Sequence, residues 1–247
     1  MKEIFSLKDK SILITGASSG IGRQIAITSA AFGANITLIG RSSERLDQTV
    51  AEMEGTGHLA IRADLTRKDE RALIPPEKKF DGVVFNAGVI EYLPVKFLTD
   101  EKITKVFETN FNSTVLLCQQ LLRNKQVSRL GSLVFVSSIS SKLGVPGTAM
   151  YASSKAAVST FARVVASEVA AQGIRSNSIC PGVIVTPMTD QAKTVTTAAA
   201  VDEQSKKYPL GYGSTVDVSG LVVFLLSDAA KWMTGTDLIF DGGLTLN

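Results

Sequence analysis

Histidine is all but missing from this chain. His58 is the single one in 247 residues, which argues against a histidine-based site, and no metal is expected. Cysteine is nearly as scarce: Cys118 and Cys180 lie inside apolar segments, with no CxxC spacing and no histidine companion. They read as reduced core residues rather than as a disulfide or a ligand pair. Long apolar runs are lacking too. None approaches the roughly 18 residues of a membrane span, so no membrane partner is expected. The opening MKEIFSLKDKSILITG holds Lys8, Asp9 and Lys10 just before a strand-like run, with no apolar leader core or small-residue cleavage site, and a cytoplasmic location is the expectation. Nor does one sign of charge dominate: 26 basic against 23 acidic side chains leave a net charge of +3, with the basic residues scattered. Nucleic acid is set aside as main partner on that ground, and a small anionic ligand fits better.

What the chain does have is a repeating order. Apolar runs of strand length occur at 11–15, 35–40, 58–63, 82–86, 132–138, 175–180 and 237–240, with helical stretches between them at 21–32, 44–53, about 100–123, 151–171 and 216–227. Strands alternating with helices predict an α/β fold with a parallel sheet covered on both faces. Hydrophobic residues make up 45% of the chain, and an α/β domain of this length buries roughly 70–75% of its unfolded surface, so a full core is available. Ser214 or Thr215 with Asp217 marks the start of the last helix. His58 alternates with Leu59, Ala60 and Ile61 on a short strand and reads as structural or exposed. No repeat, low-complexity block or charge run interrupts this order, so residues 1–247 are read as one domain. The long irregular segment at about 183–214 has the length of a lid or binding loop, with a surface insertion as the plainer alternative.

The first strand runs straight into TGASSGIG and then into a helix. Glycines at such a turn let backbone approach a pyrophosphate, and the helix N-terminus offers it unpaired N–H groups, so Gly16, Ser18, Ser19, Gly20, Ile21 and Gly22 are candidate cofactor contacts. A plain tight turn is the alternative. An NAD-specific site would place Asp or Glu at the end of the second strand, about 20 residues beyond the glycines. Gly40, Arg41 and Ser42 stand there instead. The missing carboxylate removes a repulsion, and Arg41 can pair bidentately with a 2′-phosphate, which makes NADP(H) the preferred cofactor and NAD(H) the second. In the competing reading Arg41 is a solvated loop residue and Glu44 holds the ribose.

Together with Asn86, Ala87 and Gly88, and with Tyr151 four residues before Lys155, these motifs make the chain resemble the short-chain dehydrogenase/reductase family. The resemblance runs from TGASSGIG through PGVIVTPM at 181–188 to TGTDLIFDGG at 234–243. It implies a single-domain Rossmann fold, a doubly wound parallel sheet of about seven strands, and an oxidoreductase moving hydride between nicotinamide and a ketone or secondary alcohol. Tyr151 matches the family's general acid/base, and the resemblance makes Lys155 both the cation that favours its phenolate and a holder of the nicotinamide ribose. Ser138 matches the serine that bonds the substrate oxygen; Ser137 and Ser140 are its neighbours, and Ser137 points the other way along the strand. Asn110 matches the mid-helix asparagine of a water relay to the lysine, with a helix-packing role as alternative and Asn112 close by. Asn86, Ala87 and Gly88 would pass the adenosine ribose, and Phe85 departs from the family's asparagine there. Asp64, with Leu65 beside it, corresponds to the acid that bonds the adenine amino group, although an Asp at a strand end can equally cap the next helix. Pro181 and Gly182 would lie beneath the nicotinamide, with Ile184 and Thr186 reading its carboxamide.

The substrate is less marked. The family offers 3-oxoacyl thioesters on an acyl carrier protein, steroids and bile acids, and small ketones, alcohols or sugars. An acidic carrier needs a basic rim near the cleft, and Arg123, Lys125 and Arg129 form a cluster before the fifth strand, although Gln172 replaces a second basic residue that carrier reductases often have. Met188, Val195 and Ala198–Ala200 in the lid favour an apolar carbonyl. The resemblance also implies a homotetramer. A non-catalytic NADP(H)-sensing protein is the reading from another class, and the presence of Asn110, Ser138, Tyr151 and Lys155 together speaks against it.

Overall fold

In strand β1 (Ser11–Thr15) Ile12 and Ile14 face one core and Leu13 the other, all three fully buried. An apolar run without polar alternation is what a strand covered on both faces requires. The computed structural model, which describes residues 2–189 and 203–246, builds on this strand in both directions. On one side β2 (Asn35–Gly40) and β3 (Leu59–Arg62) follow, and on the other β4 (Phe80–Phe85), β5 (Val127–Val136), β6 (Arg175–Pro181) and β7 (Asp237–Phe240). The seven strands are parallel in the order β3-β2-β1-β4-β5-β6-β7. The chain winds outward from β1, returns, and winds the other way from β4, so the crevice above the carboxyl ends of β1 and β4 is where such a sheet binds ligands.

Among the described residues the strands are joined by helices α1 (Gly20–Ala31), α2 (Ser43–Ala51), α3 (Lys68–Arg71), α4 (Asp100–Phe107), α5 (Ser113–Arg123), α6 (Ala149–Val169) and α7 (Thr215–Leu226). Side chains of α1 and α7 pack with Ile12, Ile14, Leu38 and Val134 on one face of the sheet. Those of α5 and α6 pack with Leu13, Val83, Leu133 and Phe135 on the other. Ser214 starts α7 with a capping box: its hydroxyl accepts from the Asp217 N–H while the Asp217 carboxylate accepts from the Ser214 N–H. Among the described residues no helix is long and apolar enough to cross a membrane.

Two elements differ from the sequence expectation. The stretch 100–123 is not one regular helix, because a π turn over Glu108–Asn112 separates α4 from α5. There the Ser113 hydroxyl donates to the Thr109 carbonyl (2.7 Å) and Thr114 to the Asn110 carbonyl (3.1 Å), local bonds that tolerate a widened turn. Strand β5 begins five residues earlier than its apolar run, at Val127, with a register shift between Phe80 and Gly82 on its partner β4. Strand β6 is fully buried although Arg175, Ser176, Asn177 and Ser178 are polar. Each finds a partner: Arg175 Nη2 donates to the Ser227 carbonyl, Ser176 to Ala162, Asn177 to Met233, and Ser178 to Asp237.

Candidate active site

Two turns at the carboxyl edge of the sheet are keyed into each other. Thr15 Oγ1 accepts from the backbone N–H groups of Asn86 (3.0 Å) and Ala87 (3.1 Å), and the Asn86 side chain donates to the carbonyls of Thr15 (3.1 Å) and Gly16 (3.3 Å). The fit leaves no space for side chains. A Cβ on Gly16, whose φ is +66°, would stand 2.9 Å from Ala87 Cα, and one on Gly22 would stand 2.4 Å from the Asn86 amide nitrogen and the Gly16 carbonyl oxygen. Phe85, the departure from the family's asparagine, is buried and stacks on Phe135 with ring centroids 4.5 Å apart. The turn stays polar and bonded because Asn86 supplies its hydrogen bonds.

Beside these turns lies a cleft of about 550 Å³. Gly16, Ser18, Ser19, Gly20 and Ile21 line it from the first turn, Asn86, Ala87 and Gly88 from the second, Arg41, Asp64 and Leu65 from beyond β2 and β3, and Thr186 from the segment after β6. Ser19 is the N-cap of α1, yet its side chain makes no hydrogen bond to the first turn and no acidic residue stands there. Its uncapped N–H groups, at the positive end of the helix dipole, suit a phosphate. Side-chain-free backbone and uncapped N–H groups fit the pyrophosphate of a dinucleotide.

Besides Tyr151 and Lys155, which stand next to it, five of the residues expected to touch a cofactor lie off this lining. Gly22 packs behind it against Asn86 and Gly16. Ser42 caps α2, accepting from the Arg45 N–H at 3.4 Å, so its hydroxyl is committed to the helix. Pro181 closes β6, Gly182 presses against Tyr208 and Asp241, and Ile184 is buried in a bridge to Gly213. Conversely, Arg45 in the first turn of α2, which the sequence pattern does not single out, lines the same end of the cleft as Arg41. Asp64 does not cap the next helix, whose N-cap is Arg67. It lines the cleft, and its Oδ1 accepts from the Thr66 N–H (3.0 Å) and hydroxyl (2.8 Å). Burial works to raise its pKa, but those bonds and the charges of Arg41 and Arg67 outweigh it and hold the carboxyl below its ordinary value.

Ser138, Tyr151, Lys155 and Asn110 are brought together next to this cleft. Gly88 joins the two regions: it lines the cleft, and a Cβ added to it would stand 3.3 Å from both Lys155 Nζ and Asn110 Oδ1. Ser138 lies two residues past β5 in extended geometry and hydrogen-bonds Tyr151, whereas Ser137 points away and donates to the Lys155 carbonyl at 2.8 Å. Ser140 contributes its backbone N–H to the Ser138 oxygen (3.1 Å). Asn110 clamps both backbone groups of Val89, accepting from its N–H (2.7 Å) and donating to its carbonyl (2.9 Å), and also donates to Ser154 (3.0 Å). Asn112 bonds Glu108 on its own helix.

Burial pushes the Tyr151 phenol up to about 12, the bond to Ser138 drawing it down and the nearby Tyr92 adding to the rise. Burial also draws the Lys155 ammonium down to about 8, which leaves it mostly charged at neutral pH; its Nζ donates to the Val136 carbonyl at 2.8 Å and stands 5.8 Å from the centre of the Tyr151 ring. At neutral pH the site therefore presents a protonated phenol, a proton donor, beside a hydroxyl.

The lid expectation falls partly outside the described residues, as do Val195 and Ala198–Ala200; Met188 lines the cleft. The basic cluster does not rim it. Arg123 ends α5 and Lys125 and Arg129 flank the start of β5, so within one copy of the chain they stand at the amino edge of the sheet, opposite Ser138.

Comparison with known proteins agrees with this arrangement. A family model described as enoyl-(acyl carrier protein) reductase matches residues 16–245. A cyclopentanol dehydrogenase of Comamonas sp. is 33% identical, with 98% of this chain and 99% of the relative covered. A 3-oxoacyl-[acyl-carrier-protein] reductase of Rickettsia conorii is also 33% identical, over 98% of this chain and all (100%) of the relative. The crystal structure of a protein from Beutenbergia cavernae, described as an NAD(P)-dependent gluconate 5-dehydrogenase and containing NADP, superposes with a TM-score of 0.90 at 30% identity, covering 99% of this chain and 100% of that one. With the glycine turn, the NAG turn and the tyrosine helix in these places, the chain belongs to the short-chain dehydrogenase/reductase family and is a nicotinamide-dependent oxidoreductase of secondary alcohols and ketones.

Proposed function

We propose that this enzyme is an NADP(H)-dependent carbonyl reductase with Tyr151 as its proton donor. The observation that carries the reading is the contact made through Gly88, which sets the cofactor cleft directly against Lys155 and Asn110, one helical turn from Tyr151. A bound nicotinamide supplies the hydride. Ser138 holds the substrate oxygen, and the Tyr151 phenol gives that oxygen its proton as the carbonyl is reduced. Lys155 steadies the phenolate left behind and reaches the ribose; Asn110 keeps the Gly88–Val89 backbone against it and belongs to the proton relay that the family resemblance implies. Arg41, with Arg45 beside it, supports a 2′-phosphate and hence NADP(H) over NAD(H). Asp64 and Leu65 take the adenine, and Thr186 the carboxamide.

The substrate is an apolar ketone, with a 3-oxoacyl thioester first and a steroid or small alicyclic ketone next. Met188 on the cleft supports an apolar group, and the names of the relatives span both kinds. Docking of an acyl carrier protein draws no support from the basic cluster of the same copy. Exposed apolar residues on α5 and α6, Leu116 and Val164, and on β7, Ile239, support packing against further copies as a homotetramer in the cytoplasm. The test is NADPH oxidation with acetoacetyl thioesters, steroid ketones and small ketones. Turnover that Tyr151→Phe abolishes is expected; tight NADPH binding with no turnover of any of them would make the chain a cofactor-sensing protein instead.

A further inference from the structure

Four polar side chains stand in file between the protein surface and the turn of α6 that carries Lys155. Asp237, with 10% of its side chain exposed, pairs with Lys142 (2.8 Å) and Arg163 (3.3 Å) at the outer end. Ser178 on β6 donates its hydroxyl to Asp237, and its oxygen lies 3.4 Å from that of Ser159 on α6. Ser159 donates to Ser137 at 2.9 Å, and Ser137 donates to the Lys155 carbonyl at 2.8 Å. Ser137, Ser159 and Ser178 are all buried.

The protons of this file can be counted. Three hydroxyls bring three protons to four links, so one link must lack a proton, and it is the longest, between Ser178 and Ser159. An ionised carboxylate only accepts; Asp237 therefore takes the proton of Ser178, and those of Ser159 and Ser137 point inward toward Lys155. Lys155 is consequently gripped twice by the end of one strand. Its ammonium donates to the Val136 carbonyl, and its own carbonyl accepts from Ser137, the residue that follows β5.

We infer that Ser159 is a positioning residue for Lys155, acting through Ser137, in a file whose proton order is set by the Asp237 carboxylate. The inference rests on the assignment of Tyr151 and Lys155 to the reaction. With Ser159 in place the Ser137 oxygen is already bonded and its proton stays on the Lys155 carbonyl. Without it the Ser137 hydroxyl turns freely, and the turn bearing Lys155 loosens relative to Ser138 and Tyr151. Ser176 supplies the comparison, since its hydroxyl donates to the Ala162 carbonyl (2.7 Å) farther along the same helix and away from the reacting groups.

The experiment measures kcat, its pH profile, the KM for NADPH and the melting temperature of Ser159→Ala, Ser159→Thr and Ser176→Ala. In Ser159→Ala kcat falls by about tenfold, the scale for a small misplacement of a catalytic group, while the KM for NADPH rises by much less, since Lys155 is one of many contacts to the cofactor. Its pH profile shifts, because the groups that face the reacting phenol, Lys155 and Tyr92, change their spacing to it. Ser159→Thr, which keeps the hydroxyl, restores both, and Ser176→Ala lowers the melting temperature without moving either. An unchanged kcat and profile in Ser159→Ala, or an equal change in Ser176→Ala, would overturn the inference. Tyr151→Phe is run alongside: retention of its turnover would overturn the assignment of the reaction, whereas the two alanine variants bear on Ser159 alone.

Discussion

The glycine turn after β1 and the first turns of α6 meet at the same cleft and are built on opposite principles. Around Gly16, Gly20 and Gly22 the site works by having no side chains: backbone is packed to within a carbon atom of other backbone, and the start of α1 is left without a side-chain cap. Around Tyr151 and Lys155 it works through side chains taken out of water, each shifted toward its neutral form and each held by a hydrogen bond. The first region offers fixed dipoles to a ligand; the second offers protons. The difference teaches that binding and chemistry here should fail separately, since one depends on backbone shape and the other on the solvation of two groups.

Four substitutions try that separation. Tyr151→Phe removes the proton donor and nothing of the turn, so kcat should drop by about 10²–10⁴ with NADPH binding, followed by fluorescence, nearly unchanged. Lys155→Met should abolish turnover yet stabilise the fold, because it relieves a buried charge. Between pH 8 and 10.5 the folded chain has released the lysine proton and the unfolded chain has not; below 8 both are charged and the wild type carries the whole cost. The gain in urea melts should therefore be largest below pH 8, up to about 3 kcal/mol, and fade as pH rises to 10.5. Gly16→Ala puts a Cβ 2.9 Å from Ala87 and strains a φ of +66°, and should raise the KM for NADPH by more than about tenfold while kcat at saturation holds. A kcat loss as deep as that of Tyr151→Phe would break the comparison. Arg41→Asp should act on cofactor choice alone, raising the ratio of NADH to NADPH efficiency by about tenfold through repulsion of the 2′-phosphate. An unchanged ratio would remove Arg41 from the site.

The first turn was legible in the sequence because its signals are local: a buried strand, three glycines and a helix in succession determine where backbone must go. Tyr151 and Lys155 were legible through their spacing within a family pattern rather than through periodicity. Other features depended on partners far along the chain. Ser42 looked like a ligand contact, but helix capping by the same hydroxyl is a competing use that sequence position does not separate. The π turn leaves no mark on apolar spacing, and its Asn110 finds its partner in Val89, far back in the chain. The basic cluster at Arg123, Lys125 and Arg129 is continuous in sequence with the site helices, and only the direction of β5 puts it at the other edge. Strand β6 is counted among the apolar runs of the sequence although four of its residues are polar; what keeps them buried is partners far along the chain, Ala162 on α6, Asp237 on β7, and Ser227 and Met233 between α7 and β7.

Gly88 has a thermodynamic consequence. With no side chain between the cleft and Lys155 Nζ, an anionic occupant of the cleft acts directly on a lysine whose pKa stands at about 8. Such a ligand favours the ammonium, so occupancy and protonation strengthen each other, and by reciprocity each proton taken up tightens the ligand. Cofactor loading near pH 8 is then also an acid–base event, visible as proton uptake from a weakly buffered solution; binding without uptake would show that the lysine does not sense the cleft.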